Sequence, residues 1–432
     1  MSSIVPAPRG LLRQLHPAAA ILAAIALAAP TAGFAQALSL AQAQRLAARE
    51  APLLGAQEAA VRAARESSVS ATELPDPKLI AGVDNFPLEG ADRFSFGRDF
   101  MTMRKIGFAQ DFVRGEKLRL RGERAEAEVR KESAVLGATT ANVNRDVALA
   151  WIEVWLAERQ LALLQDLERE AGLAVSSAQA TLAGGKGQAS EPFAARLAQA
   201  QLVDRMIDAR RAIARSRAQL SRWIGDAAVR TLGDAPDFAR LLHRHADLVG
   251  ELDAHPHLAM YAPLQAMADS EVRLAEAAKS PDWSLEVAYA QRGPAYSSML
   301  SIGIRVDLPI LQSRRQGPAV AAKVAAAEQV RAQAEEARRA HLAEIRMFIA
   351  DWEAAAERVR RFDATQVPLA RERSQAALAD YRGGKSDLGT TLEARRGEVE
   401  TRLAQLQATG EMARAWAQLS FLLPVTRSED HP

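Results

Sequence analysis

Residues 113–182 constrain the shape of this chain more than any other stretch. Between Gly137 and Gly172 there is neither glycine nor proline, and the run is rich in strong helix formers, so it predicts one unbroken helix. About 70 residues at ~1.5 Å rise each give a rod on the order of 100 Å long, more than a globular domain of this size can house. Within it Ile152, Leu156, Leu163 and Leu167 fall at spacings of 4, 7 and 4, a coiled-coil-like seam that needs partner helices along its length.

Those partners are visible on either side. Residues 41–74 and 188–224 read as helices, each about half as long as the rod, so that the two laid end to end match it. Pro75, Asp76 and Pro77 stop the first, and Gly225 ends the second. The second half repeats the plan with helices over 256–279, 313–382 and 387–423, and Pro368 predicts a kink in the second long one. Residues 226–255 belong to neither helical layer and are expected to pack around the waist.

The repetition is a duplication rather than a coincidence of pattern. Gly184, Gly185 and Lys186 recur as Gly383, Gly384 and Lys385, and Ala195-Arg196 recurs as Ala394-Arg395, all offset by 383 − 184 = 199. Further along, ARSRAQLS (214–221) recurs as ARAWAQLS (413–420) at the same offset of 199. We therefore expect a first structural repeat over 38–237, with a β-hairpin at 76–112 and a helix–helix tip at 182–192. A second repeat over 238–432 is expected to carry a hairpin at 281–310 and a tip at 381–391.

The hairpins are the two places where the helical period gives way. In 283–291 Trp283, Leu285, Val287 and Tyr289 alternate with Ser284, Glu286 and Ala288; in 300–308 Leu300, Ile302, Ile304, Val306 and Leu308 alternate with Ser301, Gly303, Arg305 and Asp307. Period two means strands with one apolar and one polar face. The first copy lies at 79–85 and 101–112, joined by a longer loop over 86–100. Gly107 and Asp111 align with Gly303 and Asp307 at 303 − 107 = 196, and Gln110 breaks the apolar face where Val306 keeps it.

Apolar outer faces and polar inner faces on strands of about 9–12 residues suit a membrane β-barrel with a wet lumen. Four strands cannot close a barrel, and a bilayer does not tolerate open sheet edges, so several chains must pool their strands. Three chains would supply about twelve strands, enough for an aqueous bore. The resulting fold class is mostly α with a small membrane β part. It comprises a trimeric 12-stranded barrel, four strands per chain, continued by a long α-helical coiled-coil tunnel and built by internal duplication.

The N-terminus agrees with export. Arg9 and Arg13 precede an apolar run over 18–30, and GFAQA offers small-residue cleavage sites after Ala35 or Ala37. Residues 1–37 thus read as a signal peptide, too short and alanine-rich for a good spanning helix. The chain has no cysteine, which fits an exported protein without disulfides and removes the residue on which an N-terminal lipid anchor would be built. A net charge of +2 advertises neither nucleic acid nor an acidic ligand.

The duplicated Gly-Gly-Lys turns, the AQLS helix ends, the two hairpins and VDLPILQSRR (306–315) together resemble the TolC-type outer-membrane efflux family over essentially the whole mature chain. Residues 74–112 further resemble its heavy-metal, CzcC-like branch, paired with metal-exporting pumps of the RND class. The resemblance implies a homotrimer in outer-membrane lipid of a Gram-negative cell, with a periplasmic extension that docks on an adaptor (membrane fusion protein) and an inner-membrane RND pump. It implies a passive gated duct, not an enzyme, without cofactor. Drug efflux, type I secretion and an adaptor protein are the alternatives; an adaptor would have one helical hairpin rather than two.

The family docks its adaptor at the helix–helix tips, here Gly184, Gly185, Lys186, Gly383, Gly384 and Lys385. Relatives constrict the tunnel with acidic rings just past the second tip. By that pattern Glu393 takes the second acidic position and Thr390 departs at the first, while Glu191 is acidic in the other copy and Asp387 caps the helix start. Other motifs read as structural. The pairs His243/His245 and His255/His257 lack a third ligand of clear spacing, and Met101 and Met103 read as packing. GGKS (383–386) lacks the upstream glycine and strand of a phosphate-binding loop.

Overall fold

The computed structural model describes residues 37–185 and 188–423; the expected signal peptide, apart from Ala37, lies outside them. The chain begins with α1 (Leu40–Glu50) and α2 (Pro52–Ala71), where a single helix is expected. Ala51 between them is extended (φ −68°, ψ 113°), because the residue before a proline is pushed out of the helical region. A capping box starts α1: Ser39 Oγ accepts from Gln42 N at 3.2 Å, and Gln42 Oε1 accepts from Ser39 N at 3.3 Å.

Strands β1 (Lys78–Asp84) and β2 (Met103–Phe112) lead into α3 (Gly115–Ala183), the long rod of 69 residues. After the first tip comes α4 (Glu191–Ile224), and then a connecting segment carrying the short helices α5 (His245–Gly250) and α6 (Pro256–Ala259). There follow α7 (Tyr261–Ala277), β3 (Trp283–Gln291), β4 (Met299–Val306), α8 (Gln316–Arg361), α9 (Val367–Arg382) and α10 (Leu388–Ser420). One π turn over Phe362–Gln366 separates α8 from α9. Pro368 has no N–H to give and crowds the carbonyl four residues back, and the wider turn accommodates it without ending the rod.

Rod α3 packs against α1, α2, α4, α7 and α10. Its buried seam runs through Ile152, Leu156, Leu164 and Leu167; Leu164 is fully buried, whereas Leu163, the expected member, is only half-buried. Leu164 meets Met206 and Ala209 of α4, while Leu163 turns towards a cleft shared with Val367, Leu406 and Trp155. A rod with neighbours on two sides has two seams, and spacing alone does not rank them.

The main core sits at the waist and joins α1, α3, α4, α8 and α10. Three tryptophans from three rods hold backbone there, one stretch just ahead of α1 and two in the connecting segment. Trp151 Nε1 donates to Leu38 O, Trp352 Nε1 to Phe238 O and Trp416 Nε1 to Arg240 O, each at 2.9 Å. Phe238 is wedged edge-on between Trp155 and Trp416 at 5.6 and 5.4 Å. Each indole, two buried and that of Trp352 half-buried, therefore fills apolar volume and satisfies its one polar atom at the same time.

Candidate functional site

The four strands form one antiparallel sheet in the order β1-β2-β3-β4. Its register sets Ile106 opposite Tyr289, Phe108 opposite Val287 and Phe112 opposite Trp283. It also sets Leu285 opposite Ile304 and Val287 opposite Ile302. One face is thus a continuous apolar field, and it is bare: Ile302 is 67% and Ile304 70% exposed. Phe112 and Trp283 stack at 4.3 Å on its rod-side margin, beside Gln110, whose amide donates to Pro75 O at 2.8 Å. The polar break in the alternation therefore falls near the end of the sheet rather than in mid-face.

The opposite face is ionic. Lys105 lies 3.4 Å from Asp84 and 3.5 Å from Glu286, and Arg305 reaches Glu286 at 3.6 Å. Apolar out and charged in is the polarity expected of a barrel wall, and both outer edges, β1 and β4, are unpaired within the chain. The strands are 7 to 10 residues long, shorter than expected at β1, where Asn85 turns the chain at φ 54°, and at β4, which stops at Val306 short of Leu308. Met101 stands outside β2 and is 48% exposed, so it is not packed as the sequence suggests. Among the described residues, no helix is long and apolar enough to cross a membrane.

The rods carry the two tips away from this sheet and bring them together. Val175 and Ala178 of α3, Ala195 of α4, Tyr381 of α9, and Leu388 and Leu392 of α10 pack as one small cluster. The duplicated glycines repeat in geometry as well as in sequence. Gly184 and Gly383 have φ −79° and −80°, and Gly185 and Gly384 have φ 70° and 69°. In the second copy Gly384 N donates to Tyr381 O at 3.0 Å and Lys385 N to Asp380 O at 2.8 Å, a Schellman end. In the first, Gly185 N donates to Leu182 O at 3.0 Å, and Lys186 lies outside the described residues.

The helix starts that follow are not equivalent. Asp387 Oδ1 accepts from Thr390 N at 2.7 Å and Thr390 Oγ1 at 2.9 Å. These two hydrogen bonds hold the Asp387 carboxyl below its usual range. Ser190 makes no such side-chain bond, although Pro192 opens its helix. Asp387 and Thr390 thus spend their polar atoms on each other. Glu393, Lys385 and both glycine pairs are exposed, and Glu191 is half-buried in the first turn of α4.

Behind this tip lies an acidic group that spacing did not single out. Glu398, only 2% exposed, is held by Arg402 at 2.7 Å and Arg395 at 3.3 Å, and Arg395 reaches on to Glu170 of α3 at 2.8 Å. The i,i+3 and i,i+4 spacings were legible; the burial was not. Of the histidines, His245 is 3.4 Å from Glu353 and His255 is fully buried. No group of metal-ligating side chains among the described residues is arranged to hold an ion.

Comparisons with known proteins agree with this geometry. Residues 250–424 match the family model described as outer membrane efflux protein. No curated protein sequence matches the chain. Among solved structures it is similar to CusC, studied for conformational changes on folding and transmembrane channel formation, at 15% identity and TM-score 0.76 over 89% of this chain and 92% of that one. The outer membrane protein VceC of Vibrio cholerae follows at 17% identity and TM-score 0.74 over 89% and 95%. The MtrE outer membrane channel of Neisseria gonorrhoeae, in its open state, matches at 15% identity and TM-score 0.68 over 89% and 88%. At such identities the likeness is one of fold. Residues 250–424 thus carry the outer membrane efflux protein pattern, and the chain around them has the fold of outer-membrane channels.

Proposed function

We propose that this chain is the outer-membrane channel component of an efflux system, a passive gated duct that works as a homotrimer and carries no catalytic machinery. The observation behind the reading is the sheet. Its apolar face is bare, its ionic face is internally paired, and both edges are open at the end of rods about 100 Å long. Three copies joined β4 to β1 would close a barrel around the ionic face, and the rods would continue its bore into the periplasm after cleavage of residues 1–37. The two repeats, 38–237 and 238–432, would each give that wall one hairpin and one tip.

At the far end, Gly184, Gly185, Lys186, Gly383, Gly384 and Lys385 would present paired turns to a periplasmic adaptor coupled to an inner-membrane RND pump. Glu393 and Glu191 are our candidates for acidic rings at the constriction, with Asp387 and Thr390 fixing the helix start that carries Glu393. The gate would open when adaptor contacts favour the splayed arrangement of the tips over the closed one. Heavy-metal cations are the proposed cargo, on the strength of the hairpin region 74–112.

Two measurements test this reading. The duct predicts that the chain fractionates with the outer membrane and migrates as a heat-modifiable oligomer; a soluble monomer would refute it. A strain lacking the gene should become sensitive to one or more of zinc, cadmium, cobalt, nickel, copper and silver, and recover when the gene is restored. Sensitivity confined to organic drugs would keep the duct and reject the metal cargo.

A further inference from the structure

The connecting segment that precedes α7 is fastened to the rods by histidines. His255, fully buried just before α6, has Nδ1 at 2.9 Å from Nε2 of His341 on α8, with the rings edge to face at 5.0 Å. The ring of His257 lies 5.6 Å from that of His341, and its Nε2 is 2.9 Å from Asn142 Oδ1 on α3. Three imidazoles thus meet where the segment, α3 and α8 converge. The second nitrogens, His255 Nε2 and His257 Nδ1, are buried without a hydrogen-bond partner.

This packing admits at most one charged ring in the His255–His341 pair. The 2.9 Å contact between His255 and His341 needs one nitrogen to donate and the other to accept, so both rings cannot be doubly protonated. A proton on His257 Nδ1 would be an unsatisfied buried donor, and for His255 only the backbone of Leu248 pulls the other way, more weakly than burial. The surrounding charges do not compensate. From α3, Arg145 faces His257 and adds positive charge; from α8, Glu344 lies 3.8 Å from His341 but is 60% exposed. On the segment itself, His243 faces His255, while Asp247 and Glu251 face His243. Asp247 is engaged by Arg244 at 3.0 Å, and Asp253 by Arg338 of α8 at 2.5 Å.

We propose that His255, His257 and His341 form a pH-sensitive latch that holds residues 245–260 on the rods at neutral pH and releases them as the surroundings acidify. Titration runs the right way for this. Burial, then His341 and His257, push His255 down from 6.5 to about 4. Burial, then His341 and Arg145, lower His257, and burial lowers His341, with Glu344 opposing both shifts. A base depressed in the closed form binds protons more readily once released. The latch is therefore intact above about 6.5 and weakens as pH falls towards 4. His255 alone raises the open population about twenty-fold between pH 7 and pH 5.

Hydrogen exchange in the purified full chain tests the latch directly, and it reads the same whether or not the protein is a channel. With rates divided by the intrinsic rate at each pH, amides of 245–260 should lose about twenty-fold in protection from pH 7 to pH 5, while those around Trp151 hold theirs. His255→Gln should lose most of that pH dependence. His245→Gln, at a half-buried position outside the cluster beside Trp352 and Glu353, should keep it. Equal protection of wild-type 245–260 at both pH values, or an undiminished drop in His255→Gln, overturns the proposal. The wild-type comparison decides alone if the variant does not fold.

Discussion

The two glycines of the second tip look interchangeable in sequence and are not in structure. Gly384 has φ 69°, and a Cβ built there meets nothing within 4 Å. An alanine at 384 therefore suffers no clash, only the left-handed backbone, which costs an L-residue roughly 1–2 kcal/mol. Its more restricted unfolded chain returns about 0.4–1 kcal/mol, leaving a net loss of about 1 kcal/mol, or a roughly five-fold rise in the opened tip. At Gly383 φ is −80°, open to any residue, and a Cβ comes no nearer than 3.4 Å to Ala379 O. Gly383→Ala should be neutral or slightly protective. The assay is limited tryptic cleavage at Arg382 and Lys385 of the folded protein, run where opening is fast relative to cleavage, so that rate follows open population. Cleavage about five-fold faster for Gly384→Ala and unchanged or slower for Gly383→Ala is expected. Equal rates for the two variants would show that the tip is not held by this backbone conformation. Gly185→Ala and Gly184→Ala should repeat the contrast at the first tip.

Other perturbations follow from the same structure. Gly107→Ala would set a Cβ at 2.6 Å from both Ala288 Cβ and Val287 O, prising β2 from β3; a loss of roughly 1–3 kcal/mol should appear as a lower unfolding temperature. Glu398→Ala removes the carboxylate shared by half-buried Arg395 and Arg402, of which Arg395 keeps Glu170, and should cost roughly 1–3 kcal/mol in denaturant unfolding. Arg396→Ala, breaking the exposed pair with Glu400 at 3.0 Å, should cost under about 1 kcal/mol. Asp387→Ala should speed tip cleavage at neutral pH. The Asp387 carboxyl is depressed from 3.8 by its bonds to Thr390, so its cap is present above that value and lost as pH falls through the lower folded one. The wild-type advantage in acid-tolerant proteolysis should vanish below it.

Local rules carried far in this chain because its architecture is built from long regular elements. The rod Gly115–Ala183 could be read from the absence of breakers, and the sheet from strict period two. The break at Ala51 is legible too, since Pro52 pushes the residue before it out of the helical region even within a run as helix-rich as 41–74. What spacing could not reach is long-range. His341 is 86 residues from His255, and Trp416 is 176 from the carbonyl it serves. Glu398 carries the same i,i+4 arginine spacing as an exposed pair, and only the packing of α10 on its neighbours buries it. At the tips the glycines, with their positive φ, could be expected from residue type, whereas the engagement of Asp387 with Thr390 required atoms.

The central claim is that separate chains close one barrel through their open edges, and cross-linking those edges tests it most directly. The native chain has no cysteine, so cysteine pairs can be placed along β1 and β4 at successive registers, beginning with Gly82→Cys and Ser301→Cys. Within one chain the two strands stand three spacings apart, about 14 Å at ~4.8 Å each, beyond the ~7 Å that a disulfide can bridge. Any cross-link must therefore join different chains. Oxidation in the outer membrane should give products that stop at three chains for at least one register. Only monomers at every register, or a ladder running past three, would contradict the account.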